Sequence, residues 1–141
     1  MIADRSRPTA DRGTRICTIF VLGLLLARAA SGALPEFADI TQTDLEAAIA
    51  QHSVVLLDAN GSTSFRLGHI PGAIDYAAQS SRLAMLLPSD KSSLIVAYCA
   101  NAYCPHYLAA ARTAAALGYT RIRHFAPGIA GWIKSGRLLS K

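Results

Sequence analysis

The stretch Ser93-Leu-Ile-Val-Ala-Tyr98, followed at once by Cys99 and Ala100-Asn-Ala-Tyr-Cys104, determines the fold. Its apolar run is typical of a strand that is buried on both faces of a parallel sheet. Pro105 fits the first position of a helix, because proline lacks the amide that would go unpaired there. The alanine-rich segment up to Leu117 favours that helix. The stretch therefore predicts a buried strand, a five-residue loop (residues 100–104, the cysteine loop) and a helix.

The rest of the chain alternates between strand and helix patterns. Ser53–Asp58 is a second apolar run, and Thr120–Phe125 alternates like a half-exposed strand. A helix is predicted from Thr43, where Glu46 would complete a capping box, to about Gln51. The other predicted elements are a helical turn at 63–67, a short strand near 74, a helix at 82–87 and a last helix at about 129–135. This order predicts an α/β domain with a mainly parallel central sheet flanked by helices.

Length and charge exclude several classes of protein. The 141 residues leave room for one domain, and 52% hydrophobic residues indicate a packed globule. The net charge of +5 suggests nucleic-acid binding at first sight, but residues 1–33 account for +3 of it. Because the remaining charge is small and forms no basic stripe, we expect no nucleic-acid partner.

The first 33 residues resemble a secretory signal peptide. Five arginines surround an apolar run of twelve residues at 16–27, and small residues follow before Leu34. That run is shorter than the roughly 20 residues of a membrane-spanning helix. We therefore expect cleavage after Ala33, or less well after Ala29, with a retained anchor and a misassigned start as alternatives. The prediction is a signal peptide at 1–33, a domain at 34–141 with no stable membrane anchor, and export to the periplasm or medium.

Cys99 is the strongest candidate for chemistry. It is predicted at the carboxyl end of a buried strand, where ligands bind in open α/β sheets. The loop amides and the positive end of the following helix would stabilise an anion there, and a thiolate is the nucleophilic form of cysteine. The alternative is that Cys99 is only a small buried apolar residue.

Several motifs carry a resemblance to a known family. They are Asp58 at a strand end, Gly68-His-Ile-Pro-Gly-Ala73, Tyr98-Cys99, Leu117-Gly-Tyr119, and Gly128 with Trp132 four residues on. In this order, over residues 37–138, they resemble the rhodanese-like family. The resemblance implies the three-layer rhodanese fold and a sulfur-carrying persulfide on Cys99. It also implies substrate binding by Ala100, Asn101, Ala102, Tyr103 and Cys104, and no cofactor. The expected partners are a small sulfur donor (thiosulfate, polysulfide or persulfide) and a thiol acceptor; no protein partner is indicated.

The loop also departs from that family's patterns. The phosphatase-like branch requires an arginine after five residues, where this chain has Pro105. The commonest sulfurtransferase loop has a glycine and an arginine where this chain has Ala102 and Cys104, and an arginine is often found at the position of Asn60. Anion binding would therefore depend on backbone amides, supported by Arg66 or His106, and we expect weak thiosulfate:cyanide activity.

Cys104 has three interpretations. It could resolve a persulfide on Cys99, form a structural disulfide with it, or pack at the helix start; rhodanese-like variants with a second loop cysteine favour the first. A metal site using Cys99, Cys104, His106 and His69 is not expected, because their spacing matches no zinc signature.

Two further residues are expected to support the site. Asp58 should hydrogen-bond loop amides, and His69 should orient its own loop. Trp132 is expected in the core. The function predicted is persulfide-based sulfur transfer; the alternatives are a thiol–disulfide redox protein that uses Cys99 and Cys104, and an inactive binding module.

Overall fold

The computed structural model describes residues 37–141. Its strands are β1 (Val54–Asp58), β2 (Ala73–Asp75), β3 (Leu94–Tyr98) and β4 (Arg121–Phe125). Its helices are α1 (Gln42–Ala50), α2 (Ser62–Leu67), α3 (Tyr76–Gln79), α4 (Leu83–Leu86), α5 (Tyr107–Ala116) and α6 (Gly128–Lys134), with a 3₁₀ turn at Ser80–Arg82. The predicted signal peptide and the first residues of the predicted domain lie outside the described residues.

The four strands form one parallel sheet in the order β2-β1-β3-β4. Asp58 lies opposite Tyr98, and Tyr98 lies opposite Phe125. Because all four strands run the same way, their carboxyl ends lie at one edge of the sheet, which is where such sheets bind ligands. The predicted α/β fold with a parallel sheet flanked by helices is confirmed.

Helices cover both faces of the sheet, so the domain has three layers. On one face, Leu45 of α1 and Trp132 of α6 pack against Leu56 and Phe125. On the other, the alanines of α5 and Leu83 of α4 pack against apolar residues of β1 and β3. Burial of each large apolar side chain contributes about 1.5–3 kcal/mol. Trp132 is 5% exposed, which confirms its predicted place in the core.

The predicted start of α1 is wrong by two residues. Thr41, not Thr43, caps the helix: its hydroxyl accepts a hydrogen bond from the Asp44 amide at 3.1 Å and donates to the Asp44 carboxylate at 2.7 Å. Thr41 and Asp44 have the same spacing as Thr43 and Glu46, so the pattern itself allowed both starts. The backbone conformation identifies Thr41 as the cap, because Thr41 is extended while Thr43 already lies inside the helix.

The start of α5 also differs from the prediction. Pro105 and His106 form a turn, and regular helix begins at Tyr107. The carbonyls of Pro105 and His106 accept bonds from the amides three residues on, at 3.0 and 3.1 Å, which makes this entry tighter than an α-helix. The predicted helix at 82–87 is shorter, at Leu83–Leu86. No helix of residues 37–141 is both long and apolar enough to span a bilayer.

Candidate active site

Cys99 follows β3 directly and is 1% exposed. The start of α6 holds its backbone: the amide of Ile129 donates to the Cys99 carbonyl and the amide of Ala130 to the Ala100 carbonyl, both at 3.0 Å. Gly128 has φ +59°, and a Cβ there would overlap the Cys99 carbonyl and lie 2.7 Å from the Ala100 carbonyl carbon. Only glycine lets α6 approach this closely, so Gly128 positions the chain at Cys99.

The cysteine loop is shaped by Asn101. The Asn101 side-chain oxygen accepts a bond from the Tyr103 amide at 3.0 Å, and its carbonyl accepts one from the Cys104 amide at 3.1 Å. Tyr103, at the tip of the loop, is 95% exposed. The expectation that the loop amides converge on the Cys99 sulfur is therefore wrong for these two donors, because the Asn101 side chain takes the Tyr103 amide and the Asn101 backbone carbonyl takes the Cys104 amide.

Cys99 and Cys104 form a disulfide, with their Cα atoms 6.0 Å apart. This separation lies within the range of about 4.4–6.8 Å that is usual for disulfides. The loop thus brings the two sulfurs into bonding contact, which both the resolving and the structural interpretations of Cys104 require. In this oxidised form neither sulfur carries a negative charge.

His106 lies beside the disulfide. One of its ring nitrogens and the two sulfurs lie within 4.8 Å of one another. The side chain is exposed and lines a cavity of about 340 Å³, together with Asn60 and Gly61 after β1 and Tyr76 of α3. Because the two sulfurs are bonded to each other, this group offers a metal ion a single imidazole nitrogen in the oxidised form.

Asp58 lies below the site in a buried hydrogen-bond network. Its carboxylate accepts bonds from the Asn60 amide at 2.7 Å and from the Tyr98 hydroxyl at 2.6 Å, and that hydroxyl accepts one from the Ile70 amide at 3.0 Å. Burial, followed by the Asp58 charge, raises the pKa of Tyr98 far above its ordinary value. Asp58 therefore fixes the loop after β1 through a backbone amide, as its strand-end position predicted.

His69 and Arg66 make their contacts with α2 and the C-terminus. The His69 ring stacks on Phe65 at 3.7 Å, and its Nδ1 lies 3.0 Å from the Phe65 carbonyl. Its backbone pairs with Ser140 through two bonds of 2.9 Å. Arg66 is exposed and reaches Thr63 of its own helix at 3.4 Å. His69 thus orients its own loop, as expected. Arg66 makes no hydrogen bond to the disulfide.

Sequence reasoning missed a polar cluster on the other side of the cysteine loop. His124 of β4 is 6% exposed, its Nδ1 lies 3.0 Å from the Asp39 carboxylate, and its ring stacks on Tyr107 at 3.4 Å. Its Nε2 is buried and has no hydrogen-bond partner. These residues line a cavity of about 590 Å³ that also touches Ala102. The alternating pattern of β4 could have revealed this cluster, because it places His124 on the same face of the sheet as the apolar Ile122.

Burial lowers the pKa of His124, and the nearby Asp39 carboxylate opposes this shift in part. Desolvation is the larger of the two effects. The neutral imidazole is therefore the form that the fold favours.

Comparison with known proteins agrees with this architecture. A family model described as rhodanese-like domain matches residues 41–135. The human single-domain sulfurtransferase TSTD1 is 20% identical with a TM-score of 0.57, over 70% of this chain and 97% of that one.

Two microbial structures are similar as well. The rhodanese-related protein of Thermoplasma volcanium is 21% identical with a TM-score of 0.56, over 74% of this chain and 98% of that one. SseA of Escherichia coli is 18% identical with a TM-score of 0.60, over 75% of this chain and 52% of that one. No curated protein sequence matches the chain. At these identities the structures establish the fold, and the family model, which covers most of the chain, establishes that it belongs to the rhodanese-like domain family.

Proposed function

We propose that this protein is a sulfurtransferase that carries sulfur as a persulfide on Cys99 and passes it to a thiol acceptor. Family membership and the fold support sulfur transfer in general. The position of Cys99 at the carboxyl edge of the sheet, on a backbone held by α6, supports its role as the carrier.

The observation that carries the proposal is the reach of Cys104 to Cys99 across a Cα separation of 6.0 Å. A donor such as thiosulfate or polysulfide would transfer its outer sulfur to the Cys99 thiolate. An acceptor thiol that reaches the persulfide would attack its outer sulfur and carry that sulfur away. In the absence of an acceptor, the Cys104 thiolate would attack the inner sulfur, so that the persulfide bond breaks, hydrosulfide leaves and the Cys99–Cys104 disulfide forms. An external dithiol would restore both thiols.

The second candidate is a thiol–disulfide redox protein that uses the same two cysteines. The disulfide itself favours it, because a pair that is already bonded needs no sulfur donor to be oxidised. A binding module without activity is the third candidate, and the experiment below separates it from the other two.

We also propose that the protein is exported. The arginine-rich, apolar and small-residue segments of residues 1–33 support this, and an oxidising compartment would suit a paired Cys99 and Cys104. Because the cysteine loop has no arginine, we keep the expectation that thiosulfate:cyanide turnover is slow.

The test is mass spectrometry of the reduced full-length chain after exposure to thiosulfate or polysulfide. We expect Cys104→Ser to accumulate an adduct of about 32 Da on Cys99, while the wild type ends as the disulfide and releases sulfide. Cys17→Ser is the matched control, because it removes the remaining cysteine of the chain and should behave like the wild type.

Three results would contradict this proposal. A loss of about 2 Da in the wild type, with no adduct in Cys104→Ser, indicates the redox protein. An unchanged mass in both proteins indicates the binding module. An adduct that forms equally in the wild type and Cys104→Ser removes the resolving role of Cys104.

A further inference from the structure

We propose that His106 accepts the proton of the Cys104 thiol as that thiol attacks the Cys99 persulfide, and returns it to the departing hydrosulfide. The inference rests on the proposed function and adds the proton path to it. The expectation from sequence had placed His106 only as a possible contact for the donor anion.

His106 is close enough to both sulfurs for proton transfer. A ring nitrogen of His106 lies within 4.8 Å of both sulfurs, and the side chain is exposed, so a small rotation or one bridging water completes the path. His106 also lies only two residues beyond Cys104, in the turn that precedes α5. When the disulfide opens, the Cys104 sulfur therefore remains beside the imidazole.

The cysteine loop needs such a group. A thiol attacks as its thiolate, and the amides of Tyr103 and Cys104, which could stabilise that charge, are bound to Asn101. Among residues 37–141, no acidic or basic side chain other than His106 lines this cavity, and its Asn60 is neutral.

Tyr76 is the other titratable side chain in the lining of that cavity. Its hydroxyl is occupied by the Ala109 carbonyl at 3.2 Å and the Thr113 hydroxyl at 2.8 Å. Among the described side chains that line this cavity, the imidazole of His106 is thus the one suited to accept and return a proton.

The step balances. Cys99–S–SH and Cys104–SH give the Cys99–Cys104 disulfide and H₂S: the S–S bond of the persulfide breaks and a new S–S bond forms. The outer sulfur leaves with the electron pair and is reduced to sulfide, and the Cys104 sulfur is oxidised. The proton moves from Cys104 to His106 and then to the hydrosulfide. An external dithiol supplies the electrons that reset the pair.

The first test isolates Cys104 and uses no sulfur donor. In the reduced full-length Cys99→Ser chain, alkylation of Cys104 by iodoacetamide is followed by peptide mapping, which separates it from Cys17. Adding His106→Asn should slow alkylation about tenfold at pH 7 and leave the rate at pH 10 unchanged. Adding His52→Asn, an exposed histidine after α1, should change neither rate. Equal rates at pH 7 with and without His106, or equal slowing at both pH values, would overturn the assignment.

The second test measures sulfide release after loading with polysulfide. In the chain with both cysteines, His106→Asn should slow H₂S release about tenfold, while the adduct on Cys99 in Cys104→Ser should form at an unchanged rate. Slower formation of that adduct would instead assign His106 to donor binding. If no adduct forms on Cys99 at all, the proposed function fails, and the alkylation test still decides the role of His106.

Discussion

Asp58 is the last residue of β1 and Cys99 directly follows the neighbouring strand β3, yet their surroundings differ. Asp58 is buried, and hydrogen bonds from Tyr98 and a backbone amide engage both of its oxygens. Cys99 leads into a loop whose tip, Tyr103, is almost fully exposed and whose turn is held by one asparagine. The first region, Asp58 with its partners Tyr98 and Asn60, is the hydrogen-bonded base of the site, and the second, the cysteine loop, is its largely exposed rim. The proposed sulfur transfer needs both, because Cys99 must be held in place while donor and acceptor molecules bind and leave.

The largest effect should come from breaking the base. We expect Asp58→Ala to lower the free energy of unfolding by about 3 kcal/mol, because the Tyr98 hydroxyl and the Asn60 amide lose their acceptor. Urea unfolding measures this. Asp90→Ala is the control, since Asp90 is exposed and its carboxylate accepts hydrogen bonds from Ser92 alone among the described residues, and it should cost under about 1 kcal/mol.

A double-mutant cycle sharpens this comparison. Tyr98→Phe should also destabilise the protein, and the cost of the Asp58→Ala, Tyr98→Phe pair should be smaller than the sum of the two single costs. Additive costs would mean that the base is not one network.

A smaller effect should come from His124, on the other side of the rim, as a pH dependence of the free energy of unfolding. Burial holds the pKa of His124 below its ordinary value of 6.5, so below that pH the unfolded chain takes up a proton that folded His124 does not. The stability that the protein has above about pH 6.5 is therefore reduced as the pH falls, because protonation of His124 favours the unfolded chain. Denaturant unfolding between pH 7 and 5 should show a shallower fall in stability for His124→Phe than for the wild type.

Asp39→Asn should make stability fall more steeply with decreasing pH. The Asp39 carboxylate partly offsets the effect of burial, so its removal lowers the pKa of His124 further. The control is His52→Asn, at an exposed histidine, which should leave the pH dependence as in the wild type. An Asp39→Asn protein with the pH dependence of the wild type would contradict the opposed effects of burial and charge at His124.

The smallest effect should come from the rim itself. Tyr103→Ser should change the free energy of unfolding by less than about 0.5 kcal/mol, since the side chain is 95% exposed. The same urea titration tests it. A loss above about 1 kcal/mol would mean that the tip of the cysteine loop packs on the domain, and the distinction between base and rim would then be lost.

The sequence by itself determined the architecture. The apolar runs that end at Asp58 and Tyr98 predict buried parallel strands, and both are present with Asp58 opposite Tyr98. It also predicted the amide contact of Asp58 and the buried Trp132. These features follow from local chemistry: an apolar run must be buried, and a carboxylate at its end must find donors.

Only the tertiary structure decided which groups meet. Thr41 and Thr43 each precede a carboxylate by three residues, and the backbone conformation selects Thr41 as the cap. Asp39 and His124 are 85 residues apart in the chain and meet because the segment before α1 pairs with β4. The bond between Cys99 and Cys104, with His106 beside it, likewise depends on how the cysteine loop turns. Spacing along a chain restricts such contacts but does not select them, because the selection depends on packing and hydrogen bonds between distant segments.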